Sequence, residues 1–422
     1  KSGSNLLDDL SVPDFDDMPH QEIANAINSA LLEPLQTFEI LDQSTVELDH
    51  KDNGEVLKVS VVCVCHLLRH LNKYKPPGPD NIPNWLHKEY AELLADPITN
   101  ILNTTFKEQK VPIIWRTANI TPIPKVKQVI NPKNELRPIS LTPCLSKVAE
   151  DLIVNDYIKP AVLEKIDTRQ FGTIPCSSTV MALISMLHKW LGDTDGTVST
   201  IRILICDYSK AFDLIDHRLL INKIKQLDIP NSVINWVISF LSCRLQRLKL
   251  GLDCFSEWGT VPSGVPEGTK LGLWLFLVMI NVLSISDPFS LWKYVDDSTV
   301  SETVTKGNQS EAQLAEDQIN SWSKENKFQL NCDKTKELTI TFTRSHQEAN
   351  FPSIHVEGKP IRTVTSAKLL GVTINSKLSW NDHIENLVKK ASQKLYFLVQ
   401  LKRAKVSSAD LVAYYCTCIR SS

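Results

Sequence analysis

The chain has 422 residues, 42% of them hydrophobic, which is enough for a large buried core or for two to three subdomains. Its net charge of −2 excludes the overall basic excess typical of nucleic-acid-binding domains, so any basic surface must be local. The longest apolar run, Leu271 to Ile280, is too short to cross a bilayer and predicts a buried helix, so we expect no membrane partner. Ten scattered cysteines lack the spacing of a zinc site, which favours reduced thiols in the nucleus or cytoplasm.

The first 74 residues predict a partly helical extension that carries no chemical motif. An acidic stretch comes first, and apolar residues then follow helical spacing from Gln21 to Leu32. The turn cluster Lys75 to Asp80 cannot continue a helix, and we place the start of the main domain there. Ile120 to Lys125 predicts a short edge strand, because proline is excluded from central strands.

Acidic residues follow two predicted strands further along the chain. Thr200 to Cys206 is apolar on both faces, which predicts a central strand, and it runs into Asp207. Ser290 to Thr303 predicts two short strands that meet at Asp296 and Asp297. If the fold brings these acids together, three carboxylates on rigid strand ends can hold two divalent metal ions. A tyrosine-x-Asp-Asp match is weak alone, since it can also be a turn with solvated acids.

Seven motifs follow one another in chain order. They are Leu136 to Leu141, Gln170 to Gly172, Asp207 to Asp213, Gly264 to Gly268, Tyr294 to Asp297, Asn331 to Lys336, and Leu370 to Val372. Together they resemble the reverse transcriptase domain of non-LTR (LINE-type, Jockey/CR1-like) retrotransposons over about residues 75 to 422. The resemblance implies an α+β right-hand polymerase fold with fingers, a palm built on an antiparallel sheet, and a partial helical thumb. Fingers and palm would span residues 75–375, and a truncated thumb would begin in residues 376–422.

The resemblance also implies the roles of the acids and of one lysine. Asp207 and Asp296 would bind two Mg²⁺ ions, for which Mn²⁺ could substitute, and Asp297 would be the third active-site carboxylate. Lys334 occupies the place of a lysine that protonates the leaving pyrophosphate, and Lys336 is a less favoured candidate. The alternative for Lys334 is an exposed lysine that is simply solvated.

Four further residues resemble the nucleotide-binding residues of the family. Phe212 falls at the steric-gate position, where a bulky ring excludes a ribose 2′-hydroxyl, with core packing as the alternative. Arg137 resembles the triphosphate-binding arginine, with a surface salt bridge to Glu135 as the alternative. Glu267 and Gly268 belong to the motif that resembles the family's nucleotide-cradling loop.

The chain departs from the family pattern near this loop. Glu267 stands where the family has glutamine and places a negative charge beside an incoming triphosphate. Leu273 replaces a proline, and Val282 replaces an aspartate after the apolar helix. We therefore predict reduced nucleotide affinity with metal binding retained. Asp213 and His217, four residues apart, could form an acid/base pair, but we favour a structural role for both.

Two local basic patches would contact nucleic acid. The first comprises Lys110, Arg116, Lys125, Lys127, Lys133 and Arg137, and the second comprises Lys389, Lys390, Lys394, Lys402, Arg403 and Lys405. The first patch would face template and nucleotide, and the second would follow the duplex backbone from the thumb. Binding through such patches weakens as salt rises.

The leading hypothesis is therefore an RNA-directed DNA polymerase that transfers a nucleotide from a dNTP to a primer 3′-hydroxyl. Its partners would be an RNA template, a DNA primer and a dNTP. A second hypothesis is a catalytically impaired retrotransposon remnant that binds RNA or an RNA–DNA hybrid, supported by Glu267 and Leu273. An RNA-dependent RNA polymerase is disfavoured by Phe212, and a two-metal nuclease would leave Arg137 unexplained. The sequence does not specify the oligomeric state, the host, the native template or the target site.

Overall fold

The structure is a computed structural model that describes residues 6–15, 17–46, 57–195, 199–251, 253–342 and 351–420. The helices are α1 (Leu6–Asp9), α2 (His20–Leu32), α3 (Gln43–Val46), α4 (Val61–Arg69), α5 (Asn84–Glu89), α6 (Ala91–Glu108), α7 (Pro132–Glu135), α8 (Cys144–Ile153), α9 (Lys159–Glu164), α10 (Thr179–Thr194), α11 (His217–Ile224), α12 (Asn231–Leu241), α13 (Lys270–Asn281), α14 (Ala312–Glu325), α15 (Asn381–Arg403) and α16 (Ser408–Tyr414). The strands are β1 (Thr117–Pro124), β2 (Leu136–Leu141), β3 (Ser199–Cys206), β4 (Arg244–Leu250), β5 (Cys254–Phe255), β6 (Gly259–Val261), β7 (Ser290–Tyr294), β8 (Asp297–Thr305), β9 (Lys336–Thr341), β10 (His355–Val356), β11 (Lys359–Pro360), β12 (Arg362–Val364), β13 (Ser366–Leu369) and β14 (Val372–Asn375).

The chain forms two compact units, and each is assembled from separate stretches of sequence. The first unit consists of Lys1–Thr168, Ser209–Leu283 and Ser323–Gln329. The second unit consists of Arg169–Tyr208, Ser284–Trp322 and Leu330–Ser422. The predicted domain boundaries near residues 75 and 376 remain predictions.

The first unit contains a mixed sheet covered on one face by α2. Its strands have the order β2-β1-β4-β5, and β6 also pairs with β4. Apolar residues four apart, Ile23 and Ile27, line one face of α2 and pack with Ile120 and Leu248 of the sheet. The predicted N-terminal helix is thus confirmed, and it contributes to the core of this unit.

Strand β1 is an edge strand over only half of its length. Its proline-containing half pairs with β2 alone, including Pro122 opposite Pro138. The residues from Thr117 to Ile120 also pair in parallel with β4. Within the predicted segment, Thr121 to Pro124 pair with β2 alone, as an edge strand would, whereas Ile120 also pairs with Leu248 of β4.

The second unit contains a sheet with the order β12-β9-β3-β8-β7. The predicted central strand β3 pairs antiparallel with both β8 and β9. Trp190 of α10 packs against one face of this sheet, where its ring lies edge-on to Trp292 of β7 at 6.1 Å. One residue breaks the apolar pattern of β3, because buried Arg202 donates from Nε to Glu337 at 2.6 Å.

The apolar run is a buried helix, as predicted. Nearly all side chains of α13 are buried, and Phe276 is fully enclosed. Among the described residues, we find no helix with the length and apolarity needed to span a membrane. The tail is helical as expected, and α15 has no buried residue.

Candidate active site

The acids of the second unit gather at one end of adjacent strands. In the β3–β8 ladder Cys206 lies opposite Ser298, so Asp207 and Asp297 each lie one step beyond that pair at the same end. The β7–β8 hairpin closes with Tyr294 opposite Asp297, which leaves Val295 and Asp296 as its two-residue turn. The structure thus confirms that the two predicted strands, β7 and β8, form a hairpin whose turn lies at the carboxylates.

A loop after α14 brings the predicted lysine to the first of these acids. The Asn331 amide donates to the Asp207 carbonyl at 2.8 Å, and the Asp207 amide donates to Thr335 Oγ1 at 3.3 Å. These bonds hold Lys334 so that its Nζ lies 3.8 Å from Asp207 Oδ2. Lys336 instead lies on β9, opposite Ile205. The favoured lysine is thus the one next to the carboxylate.

The donor types in this region suit a hard cation. Carboxylate oxygens are the ligands that Mg²⁺ prefers. In the parts of the chain that the structure describes, however, no three His, Cys, Asp or Glu side chains are close enough together to hold an ion. The backbone thus brings Asp207, Asp296 and Asp297 to one sheet end, while the side chains have not converged.

The predicted triphosphate arginine forms an ion pair with the unusual glutamate in the first unit. Arg137 Nε lies 3.3 Å from Glu267 Oε1, and their side chains are 56% and 26% exposed. The Ser140 amide donates to the Glu267 carbonyl at 2.9 Å, which ties the loop to β2. Glu135 instead accepts bonds from the Ile130 and Asn131 amides, which lower its pKa. Arg137 thus faces Glu267, the position at which the chain departs from the family.

The glycine-rich loop is anchored by backbone contacts that a side chain would prevent. Gly264 has a φ of 82°, and a Cβ there would lie 2.5 Å from the Asp213 carbonyl oxygen. Its amide donates to the Ile215 carbonyl at 2.8 Å, and the Val265 amide donates to the Phe212 carbonyl at 2.9 Å. Gly268 has a φ of 103°. The loop therefore follows the segment that carries Phe212.

Phe212 is half-buried and stacks on a core ring. Its ring centroid lies 4.3 Å from that of Phe276, at an interplanar angle of 15°. The packing alternative is therefore correct for one face of the ring. A ring fixed in this way can also act as a steric gate, because it cannot turn aside from a bulky substituent.

Sequence reasoning gave no role to a half-buried lysine beside the loop, Lys210. Burial lowers the pKa of Lys210 to about 8 and raises the pKa of Asp213 to about 6. The charges of Lys210 and Asp213 oppose both shifts, and Glu267 adds to the rise at Asp213. A lysine three residues before an aspartate is too common a spacing to have revealed this pair.

His217 bonds to the loop, and its own contribution to stability should depend on pH. Its buried Nε2 donates to the Gly264 carbonyl at 2.7 Å, which agrees with the predicted structural role. Burial lowers the pKa of His217 to about 4, against the bond to the Gly264 carbonyl, which raises it. The charge of Arg244 also lowers this pKa, and that of Asp216 raises it. The folded state thus binds fewer protons than the unfolded state between about pH 6.5 and 4. The contribution of His217 to the free energy of unfolding should therefore fall by about 3 kcal/mol as pH falls through that window.

Urea denaturation of the wild type and His217→Gln at several pH values measures this contribution. Glutamine can still donate to the Gly264 carbonyl but does not titrate. We expect the free energy of unfolding of the wild type, relative to that of the variant, to fall by about 3 kcal/mol from pH 6.5 to 4. Asp213 and Glu150, whose pKa values burial raises to about 6 and about 7, titrate in both proteins and cancel in the comparison. Parallel curves for the two proteins would contradict the assignment.

The second unit has the arrangement of a polymerase palm, with an antiparallel sheet that carries acids after its central strand and at the adjoining hairpin. A family model described as reverse transcriptase (RNA-dependent DNA polymerase) matches residues 123–374. The chain therefore belongs to the reverse transcriptase family, which confirms the predicted α+β right-hand polymerase fold class. A shorter match, to a model described as alkylated DNA repair protein alkB homolog 8, N-terminal, covers residues 380–421.

Similar proteins come from mobile elements of Drosophila melanogaster. The chain is 26% identical over 337 residues to the RNA-directed DNA polymerase from mobile element jockey, covering 77% of this chain and 36% of that protein. It is 27% identical over 360 residues to the probable RNA-directed DNA polymerase from transposon BS, covering 81% and 38%. For the probable RNA-directed DNA polymerase from transposon X-element the identity is 24% over 411 residues, covering 93% and 44%.

These relatives confirm the predicted resemblance to non-LTR retrotransposon reverse transcriptases. The chain spans less than half the length of each of these three relatives. A solved structure of apo telomerase from Candida tropicalis, truncated from its C-terminal domain, is also similar. It has a TM-score of 0.41 and 14% sequence identity, and the match covers 68% of this chain and 59% of that one.

Proposed function

We propose that this chain catalyses RNA-templated DNA synthesis by attack of a primer 3′-hydroxyl on the α-phosphate of a dNTP, with release of pyrophosphate. The observation that carries the proposal is the shared sheet end of Asp207, Asp296 and Asp297 in a chain of the reverse transcriptase family. An RNA template, a DNA primer and a dNTP would be its partners. The location would be nuclear or cytoplasmic.

The three acids would hold two Mg²⁺ ions, or Mn²⁺ in their place. When bound, the ions would activate the 3′-hydroxyl and neutralise the leaving pyrophosphate. Binding of the ions would require the three carboxylate side chains to turn toward one another. Asp207, whose Oδ2 lies 3.8 Å from Lys334 Nζ, would then also coordinate an ion. Lys334 would then supply a proton to the leaving pyrophosphate.

The residues of the first unit would recognise the nucleotide. Arg137 would bind the triphosphate, Phe212 would exclude a 2′-hydroxyl, and Glu267 and Gly268 would shape the loop. The two basic patches would bind phosphates of the template and duplex, so binding would weaken with salt.

Extension of an oligo(dT) primer on poly(rA) tests the proposal. The assay compares dTTP with UTP in the presence of Mg²⁺, for the wild type, Asp296→Ala, and Asp228→Ala as an exposed control outside both groups of residues. We expect the wild type and the control to extend with dTTP, and Asp296→Ala to fail. A preference for UTP would exclude a reverse transcriptase.

The Arg137–Glu267 ion pair favours a second candidate, a remnant with impaired catalysis that still binds RNA or an RNA–DNA hybrid. In the present structure the carboxylate of Glu267 takes the place beside Arg137 that a phosphate would need. No extension together with salt-sensitive hybrid binding would support this candidate over an active enzyme.

Glu267→Gln should lower the KM for dTTP about threefold to tenfold with little change in kcat. The substitution removes the charge that engages Arg137, and a partly exposed ion pair is worth roughly 1 kcal/mol. Steady-state extension with varied dTTP measures the change, with Glu257→Gln, an exposed glutamate of the same unit, as the matched control. An unchanged KM in Glu267→Gln would contradict the impairment.

A further inference from the structure

The carboxylate hairpin turns through a backbone conformation that its residue does not favour. Val295 has a φ of 59°, which places a β-branched residue in the left-handed region. Such a residue retains this conformation only when its surroundings enforce it. Asp296 follows directly, so the direction of its side chain depends on the conformation of Val295.

One buried side chain bonds directly to this turn. Gln170 is 4% exposed, and its Oε1 accepts hydrogen bonds from the Val295 amide at 3.1 Å and from the Gly172 amide at 2.8 Å. Two amide donors facing one atom require an oxygen there, which fixes the orientation of the side-chain amide. The bond to Val295 satisfies a donor that a two-residue hairpin turn leaves outside the ladder.

The backbone around Gln170 reaches the turn along β7. Lys293 donates its amide to the Arg169 carbonyl at 2.8 Å, and Phe171 donates its amide to the Lys293 carbonyl at 2.8 Å. Gly172 then passes so close to the turn that a Cβ there would lie 2.5 Å from the Val295 nitrogen. The motif from Gln170 to Gly172 therefore contacts the turn through both a side chain and a close backbone approach.

We propose that Gln170 is a positioning residue that holds Val295 in its left-handed conformation and thereby fixes the backbone position from which Asp296 reaches the reacting atoms. The inference rests on the proposed function, because it takes Asp296 as an active-site carboxylate. It gives Gln170 a role at the carboxylate turn, in addition to any contact of its motif with the template.

Gln170→Met tests the proposal, because methionine has a similar size and removes the strong acceptor. We expect kcat for dTTP incorporation to fall about 10- to 100-fold, as for a misplaced reacting group, while KM changes less than about threefold. The matched control is Gln318→Met, which removes a half-buried glutamine whose Oε1 also accepts from a backbone amide, that of Ser286 at 2.9 Å. The control should stay within about twofold of the wild type.

A rescue separates positioning from a general structural role. Glycine adopts positive φ without strain, so adding Val295→Gly to Gln170→Met should raise kcat about tenfold above that of Gln170→Met alone. If the kcat of the double variant is reduced by the product of the factors measured for Gln170→Met and Val295→Gly alone, the proposal is overturned. Should Gln170→Met fail to fold, Gln170→Asn serves in the same comparison, since it shortens the side chain by one methylene and keeps its polarity.

A readout independent of activity distinguishes this proposal from the proposed function. Crystal structures of the wild-type chain and of Gln170→Met should show Val295 at positive φ only in the former, and Mn²⁺ titration should give weaker binding in the variant. If the wild type has no polymerase activity but Val295 leaves positive φ in Gln170→Met, the proposed function is wrong while the positioning role of Gln170 is supported. If Gln170→Met keeps Val295 at positive φ and leaves the position of Asp296 unchanged, the positioning role of Gln170 is contradicted.

Discussion

Replacement of Asp207 by asparagine should reduce primer extension about 1000-fold. The carboxylate follows the central strand β3 and lies at the same sheet end as Asp297. An amide of the same shape lacks the charge that would bind a divalent ion, and the loss of several kcal/mol of transition-state stabilisation corresponds to a factor of this size. Single-turnover extension with saturating dTTP measures the effect on chemistry.

The control for this variant should establish that the fold and the hybrid affinity are retained. We expect the thermal midpoint of Asp207→Asn to stay close to that of the wild type, since the ion pair that the substitution removes, with Lys334, is partly exposed. Fluorescence titration with an RNA–DNA hybrid should give an unchanged Kd. Extension within tenfold of the wild type would show that Asp207 is not an essential ligand.

Phe212→Val should increase the incorporation of UTP relative to dTTP about 100-fold. The Phe212 ring is held against Phe276, so it presents a fixed obstacle, and steric pockets of this kind discriminate by roughly 1–3 kcal/mol. Valine removes the bulk of the ring and leaves the backbone bond to Val265 intact. The ratio of kcat/KM for the two nucleotides is the measurement.

A second variant, Phe276→Leu, tests whether selectivity requires the Phe212 ring to be held by stacking on Phe276. Leucine keeps an apolar contact but removes the stacked face, so Phe212 gains rotational freedom. We expect a smaller loss of selectivity than in Phe212→Val, together with reduced thermal stability. If neither variant changes the UTP:dTTP ratio, Phe212 is a core residue and not a gate.

The local features of the fold were predictable because they depend on periodicity and turn chemistry. The helical spacing before Leu32, the apolar strand before Asp207 and the buried run from Leu271 all formed the elements expected of them. The hairpin tip at Asp296 also followed from strand-prone flanks around a short acidic pair. In each case neighbouring residues along the chain determine the result.

The unpredicted features depend on partners far away in the sequence. Arg202 interrupts an apolar strand, and partners distant in the sequence make that position acceptable. They include the buried Glu337 of β9, Ser310 Oγ and the Pro352 carbonyl. Arg137 lies two residues from Glu135, yet it forms its ion pair with Glu267. This pairing depends on the hydrogen bond that ties the glycine-rich loop to β2. The lowered pKa of Lys210 likewise reflects burial that no local pattern reveals.

The alternation of segments between the two units has a consequence for synthesis of the protein. The chain passes from one unit to the other five times, and β1 obtains its partner β4 only after more than a hundred further residues have been made. A nascent chain that ends before β4 leaves the apolar face of α2 without half of its sheet. Neither unit can therefore be excised as one continuous fragment, and the first unit can be completed only after the chain as far as Gln329 has been made.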